Sequence, residues 1–194
     1  MDTDQLKIKN LLVGIGGSIS VLAVPSYLTL FAHFFKEVKV IMTPSAARLL
    51  PRETVNLLCA GAYTDEQEFS QEISHVELTR WADGLVILPA TANTMGQAAN
   101  GLGDNLLTTA ILAYPEPIIY FPNMNERMWR KKSLQRNIKT LEADGDIVVE
   151  PSHQMAYEVA SGKMRPNYTI PSKENVMKVI YKQLVGNVQT VSKS

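Results

Sequence analysis

Five short, largely apolar runs, each separated from the next by enough chain for a helix, constrain this fold more than anything else in the sequence. They are Ile8 to Ile15, Val38 to Met42, Gly84 to Leu88, Pro117 to Phe121 and Ile147 to Val149. A strand with one wet face alternates apolar and polar residues. Runs without that alternation read as strands covered on both faces, as in a parallel sheet flanked by helices. Between them lie helical segments, among them Asn105 to Tyr114 and Arg127 to Leu141. Ser172 caps a last helix that places Val176, Val179, Ile180 and Leu184 on one face. The segment after the first run is helical through Phe35, with Pro25 requiring either a late start or a kink. The expected fold is α/β: a single flavodoxin- or Rossmann-like domain over residues 1–194, with helices on both faces of a parallel sheet and no linker.

The charge balance narrows the partners. There are 19 Lys and Arg against 19 Asp and Glu. The only basic cluster is the short Arg130-Lys131-Lys132, which suits a solvated helix face better than nucleic acid. The opening MDTDQLKIKN has neither the basic nor the apolar part of a signal peptide, and no apolar run reaches membrane-spanning length. No membrane association is expected, and a cytoplasmic location is. Cys59, the single cysteine, lies in an apolar stretch and reads as a small buried hydrophobe. It permits neither an intrachain disulfide nor a multi-thiolate zinc site. No group of His, Cys, Asp and Glu has metal-ligand spacing, so no metal is expected.

Ligands of parallel α/β sheets bind beyond the carboxyl ends of the strands, so the residues there are the candidates. After the first run come Gly16, Gly17 and Ser18, a turn whose freed amides and hydroxyl suit a phosphate at a helix start. Ile19 stands where a dinucleotide fingerprint needs its last glycine. Thr43-Pro44-Ser45 adds two hydroxyls after the second run. Thr91, Asn93 and Thr94 follow the third, the asparagine offering both donor and acceptor. After the fourth, Phe121 to Trp129 sets two asparagines and two methionines beside a tryptophan. Ser74 and Glu77 have capping-box spacing, which makes His75 the first residue of a helix, where the positive helix end disfavours a protonated ring. A histidine at a helix start is also commonly just a solvated residue. No role falls to His33 or His153. Residues 151–171 lack periodicity, with Tyr157-Glu158-Val159 able to pair as a strand and Ser161-Gly162-Lys163 reading as a turn. A lid over a ligand and a plain surface or oligomer-contact hairpin both fit that segment.

Pro89-Ala90-Thr91-Ala92-Asn93-Thr94 resembles the PASANT motif of the homo-oligomeric flavin-containing cysteine decarboxylases, with threonine in place of serine. Pro122 to Trp129 matches that family's PxMNxxMW motif at every fixed position, and His75 matches its histidine opening the helix before the central strand. The resemblance runs from about Leu11 to Val179. Within the family the chain looks most like the peptidyl-cysteine decarboxylases of lantibiotic biosynthesis, of the epidermin and mersacidin type. Tyr157 to Lys163, Ile170-Pro171 and Glu174-Asn175-Val176 resemble their substrate clamp. The phosphopantothenoylcysteine decarboxylases carry a reactive cysteine in that lid, and residues 151–171 contain none. Prenyl-transferring flavin enzymes lack PxMNxxMW.

The resemblance implies oxidative decarboxylation of a peptide's C-terminal cysteine. The thiol carbon is oxidised to a thioaldehyde, carbon dioxide leaves, and an enethiolate remains. His75 is then the base and Asn125 the holder of the cysteine carboxylate or backbone. Met124 and Met128 line the pocket, with Tyr157 and Val159 in the clamp. The implied cofactor is FMN, with FAD the alternative. Gly16, Gly17, Ser18, Thr43 and Ser45 would hold its phosphate and ribityl side, and Thr91, Asn93 and Thr94 the phosphate or ring edge. The implied partners are a precursor peptide ending in cysteine and further copies of the chain, as a trimer or a dodecamer of trimers. Two competing readings are a phosphopantothenoylcysteine decarboxylase of coenzyme A biosynthesis and a non-catalytic flavin-binding regulatory subunit. Loss of His75 or Asn125 would mark the latter, and both are present.

Overall fold

The computed structural model describes residues 5–158 and 162–186. Six strands form the main sheet: β1 (Asn10–Ile15), β2 (Glu37–Met42), β3 (Ala62–Tyr63), β4 (Gly84–Ala90), β5 (Ile119–Pro122) and β7 (Ile147–Val148). Their order is β3-β2-β1-β4-β5-β7, every neighbouring pair parallel. The chain works outward from β1 in one direction and then restarts from β4 in the other. The crevice between their carboxyl ends is therefore the topological switch point. All five expected strands are present. The sixth, β3, pairs only Val40 with Ala62 and Ile41 with Tyr63, too short a strand to leave a pattern in sequence.

The sheet is buried on both faces because its side chains feed two separate cores. Leu11, Val13 and Ile15 of β1 enter one and Leu12 the other, the period-two alternation of a strand. On the first face pack α1 (Val24–Phe34) and α10 (Lys173–Gly186), through residues such as Leu28, Phe31, Val176 and Ile180. On the second lie α7 (Leu106–Ala113) and α9 (Lys132–Ala143), through Leu107, Ile111, Leu134 and Ile138. Every residue of β4 is buried, as expected of the central strand.

Two departures from the sequence reading have local causes. α1 starts late rather than kinking: a 3-10 turn over Ile19–Ala23 takes up the chain, which leaves Pro25 in the first helical turn, where its missing N–H costs nothing. The helix expected over Arg127 to Leu141 is two, α8 (Glu126–Trp129) and α9, because Asn125 caps the first and Trp129 turns inward to 8% exposure. The Trp129 carbonyl left over at the break accepts from Gln135 Nε2 at 2.7 Å.

Residues 152–158 and 163–169 pair as the two strands of the expected hairpin. β8 (Ser152–Glu158) runs antiparallel to β9 (Lys163–Thr169), with Gly162 in the left-handed region at φ 63°. Tyr157 lies on β8, and Val159 lies outside the described residues. An unexpected third strand, β6 (Met124–Asn125), joins this sheet by pairing Met124 with Tyr168 and Asn125 with Asn167. Among the described residues no helix is long and apolar enough to cross a membrane, and no group of three acidic, His or Cys side chains is placed to hold a metal.

Candidate active site

The loops after β1, β2, β4 and β5 are bonded into one edge. The Gly16 amide donates to the Pro89 carbonyl at 3.0 Å, across the switch point. The Thr43 amide and hydroxyl both donate to the Ile15 carbonyl, at 3.0 and 3.2 Å. Beyond β4, the Asn123 amide donates to the Ala90 carbonyl at 3.0 Å. The two glycines sit where no side chain fits. A Cβ on Gly16 would stand 2.8 Å from the Pro89 oxygen, and one on Gly17 2.4 Å from Ser45 Cβ.

The hydroxyls at this edge divide into two kinds. Thr43 is buried and also accepts from the Ala46 amide at 3.2 Å, capping α2 (Pro44–Leu49). Thr91 caps α6 (Ala92–Ala99) through the Thr94 amide at 3.2 Å, and its hydroxyl pairs with that of Thr94 at 3.0 Å. These three threonines build the turns. Ser18 does not: its Oγ is buried without a hydrogen-bond partner, and it makes no side-chain cap to the 3-10 turn that follows it. Ser45 is exposed in the first turn of α2, and Asn93 is exposed with its amide donating to Gln97 Oε1 at 3.2 Å.

His75 opens α5 (His75–Trp81) behind the expected capping box, Ser74 Oγ accepting from the Glu77 amide while Glu77 holds the Ser74 amide. A helix that returns the chain to the start of a parallel strand begins at the carboxyl edge of the sheet, which puts His75 on the same rim as the glycine turn. Its Nδ1 lies 2.6 Å from Glu68 Oε1, a partner on the preceding helix. Among the described residues no hydrogen bond joins His75 to the glycine turn or to Asn125.

Asn125 is exposed and its Oδ1 accepts from the Met128 amide at 3.0 Å. The cap occupies the acceptor end of the amide, and the donor end, Nδ2, has no hydrogen-bond partner among the described residues. Opposite it in the β6–β9 pair, Asn167 has a buried Oδ1 without a partner. Asn125, Glu126, Arg127, Arg165, Pro166 and Asn167 line a groove of about 490 Å³ between the motif and the hairpin. Asn123 Nδ2 donates to the Tyr168 carbonyl at 3.3 Å, and Trp129 stacks on the Tyr168 ring with centroids 5.1 Å apart. Met124 is buried in the second core, and Met128 is 42% exposed. Sequence reasoning named the motif but missed its partners Arg165, Asn167 and Tyr168, which only the tertiary pairing brings near. Cys59, read as a small buried hydrophobe, is half-buried. Burial pushes its thiol up, and Sγ donates to the Val55 carbonyl at 3.3 Å.

Known proteins resemble the chain over most of its length. Over 182 residues, 94% of each chain, the sequence is 46% identical to the mersacidin decarboxylase of Bacillus sp. strain HIL-Y85/54728. A variant of EpiD solved with the substrate peptide DSYTC superposes with a TM-score of 0.83 at 31% identity, covering 89% of this chain and 98% of that one. The FMN-dependent cysteine decarboxylase SpaF superposes with a TM-score of 0.79 at 32% identity, over 94% and 99% of the two chains. The sequence profile of the flavoprotein family matches residues 2–177, and with that span and these likenesses the chain belongs to the flavoprotein family.

Proposed function

We propose that the chain is an FMN-dependent peptidyl-cysteine decarboxylase that converts the C-terminal cysteine of a lantibiotic-type precursor peptide to an enethiol, leaving an aminovinyl-cysteine end. The observation that carries this reading is the β6–β9 pairing, which sets Asn125 of PxMNxxMW in a groove beneath the hairpin. An extended peptide end fits such a groove, and the likeness to proteins named for this activity supports the same reading.

The residues at the switch point fit a flavin. The buried, unpartnered Ser18 Oγ stands beside Gly17, whose amide makes no hydrogen bond among the described residues, and the two are donors of the kind a phosphate or ribityl chain requires. Bound flavin supplies the two-electron acceptor for the oxidation. The protein's own groups do the rest. Nδ2 of Asn125 donates to the cysteine carboxylate, which fixes the terminal residue against the rim. His75 accepts the thiol proton as the carbon–sulfur bond becomes double, the Cβ hydrogen leaving with its electron pair. The carboxylate is then β to a thiocarbonyl. The Cα–carboxylate bond breaks, its electrons move into a Cα–Cβ double bond, and sulfur takes the negative charge. Covering the groove excludes water from that step. Assembly as a trimer belongs to the same proposal: Phe69, next to Glu68, is 82% exposed, and a second copy would cover it.

Mass spectrometry of synthetic cysteine-terminated peptides incubated in air with the yellow protein tests this reading. The expected product has lost carbon dioxide and two hydrogens. Loss of carbon dioxide only, from phosphopantothenoylcysteine in a parallel tube, would instead assign the chain to coenzyme A synthesis. A second expectation concerns the hairpin. Replacing residues 157–164 by a two-residue Asn-Gly turn leaves Ala156 opposite Arg165, a register such a turn can close. KM for peptide should rise at least about tenfold, the loss of roughly 1.4 kcal/mol of binding, with the flavin absorption unchanged. Flavin loss in that variant would make the hairpin part of the cofactor site.

A further inference from the structure

We infer that Glu68 is a positioning residue that fixes the tautomer of His75 and so decides which ring nitrogen serves as the base; the inference rests on the reading of His75 as that base. Glu68 Oε1 lies 2.6 Å from His75 Nδ1 and also accepts from the His75 backbone amide at 3.4 Å. A carboxylate is an acceptor only, so the ring nitrogen facing it carries the hydrogen. A neutral imidazole has one N–H. With that hydrogen on Nδ1, the lone pair is on Nε2, the nitrogen turned away from Glu68.

The surrounding chain holds the pair in register. Glu68 belongs to α4 (Asp65–Phe69), whose start is set by a reciprocal capping box between Thr64 and Gln67, both under 10% exposed. The chain then reverses through Gln71 at φ 61°, and the amides of Glu72 and Ile73 both donate to the Gln67 carbonyl, at 3.0 and 3.4 Å. α5 follows at once behind its own box, and Thr79 Oγ1 donates to the His75 carbonyl at 2.8 Å. Two capped helix starts and one tight reversal thus aim the carboxylate at the ring. The side chains are 32% and 26% exposed, so the contact is partly shielded from water. Glu77, the other acid near His75, is engaged with Ser74 through its amide and hydroxyl at 2.9 and 2.8 Å. When Nε2 takes the substrate proton, the Glu68 carboxylate faces the positive charge that forms, as the third member of a nucleophile–base–acid set does.

Glu68→Gln tests this with little change of shape. A carboxamide can offer its NH2 to Nδ1, which removes the requirement for a hydrogen there. The protein has three histidines, His33, His75 and His153, so solid-state nitrogen NMR of histidine-labelled holoprotein, recorded near pH 9 where free imidazole is neutral, resolves the ring at any assembly size. Comparison with His75→Asn identifies the His75 signals. In the native protein they should report Nδ1–H and a bare Nε2, and in Glu68→Gln a gain of Nε2–H. The same variant should lose about 100-fold in kcat, with KM within about twofold and flavin content unchanged. A native nitrogen spectrum with native kcat in Glu68→Gln overturns the inference and leaves the base assignment standing. Native kcat in His75→Asn overturns the base assignment and, with it, the catalytic role of Glu68.

Discussion

His75→Asn should leave a folded, yellow protein whose turnover of cysteine-terminated peptide falls by about 10²- to 10⁴-fold, the range lost when a positioned base is removed. The fold has little reason to object. The helix start is held by the Ser74–Glu77 box and by Thr79 on the His75 carbonyl, none of which uses the imidazole. Asparagine is polar and close in size for a position that is a third exposed, so the stability change should stay within about 1 kcal/mol. The ring has one described hydrogen-bond partner, Glu68, and the asparagine amide can donate to the same carboxylate. Peptide affinity, which the proposal assigns to Asn125 and the hairpin groove, should persist. The variant should therefore separate binding from chemistry: normal flavin absorption, near-normal peptide binding by titration, and almost no loss of carbon dioxide by mass spectrometry. A rate within about threefold of native, which is under 1 kcal/mol of barrier, would remove His75 from the mechanism.

What could be read from the chain before folding follows the range of the interactions involved. The strands were legible because burial on both faces removes the polar alternation, and β4 is buried at every position. A cap was legible because it acts over three residues, Ser74 with Glu77. β3 was not, since two residues at a sheet edge carry no period. Nor was β6, which looks like a loop in the chain and becomes a strand only because Tyr168 and Asn167 arrive opposite it, over forty residues later. The candidate site divides in the same way. His75, Asn125 and the glycine turn stood out by residue type and place. Glu68 did not, because it and His75 lie on two different helices, and the Gln71 reversal that joins them is a tertiary matter. The hydroxyls show the limit of reading by type. Thr43, Thr91 and Thr94 use theirs to build the turns, and only the structure reveals Ser18 as the buried one left without a partner.

Gly17→Ala should cost the protein its flavin and part of its stability, because the added methyl has nowhere to go. Its Cβ would lie 2.4 Å from Ser45 Cβ, 2.8 Å from the Ser45 carbonyl carbon and 3.0 Å from the Ala46 amide nitrogen. Two of those three atoms are backbone, so no change of rotamer relieves the clash. α2 cannot retreat freely either, since Thr43 at its start is held to the Ile15 carbonyl by two hydrogen bonds. The glycine turn must therefore give way, and it moves Ser18 and the Gly17 amide, the groups proposed to meet the flavin phosphate. Overpacking of this kind costs roughly 1–3 kcal/mol, which for a chain of this length lowers Tm by about 2–12 °C. Gly186→Ala is the matched control, its Cβ meeting only Lys182 Cγ at an ordinary 3.8 Å. Flavin content after desalting and thermal melts of both variants decide the matter. A lowered Tm with full flavin in Gly17→Ala would mean the close approach serves packing of α2 alone. Full flavin with a native Tm would mean the turn relaxes without moving Ser18. Loss of flavin from Gly17→Ala with Gly186→Ala unchanged would support the switch point between β1 and β4 as the place where the cofactor binds.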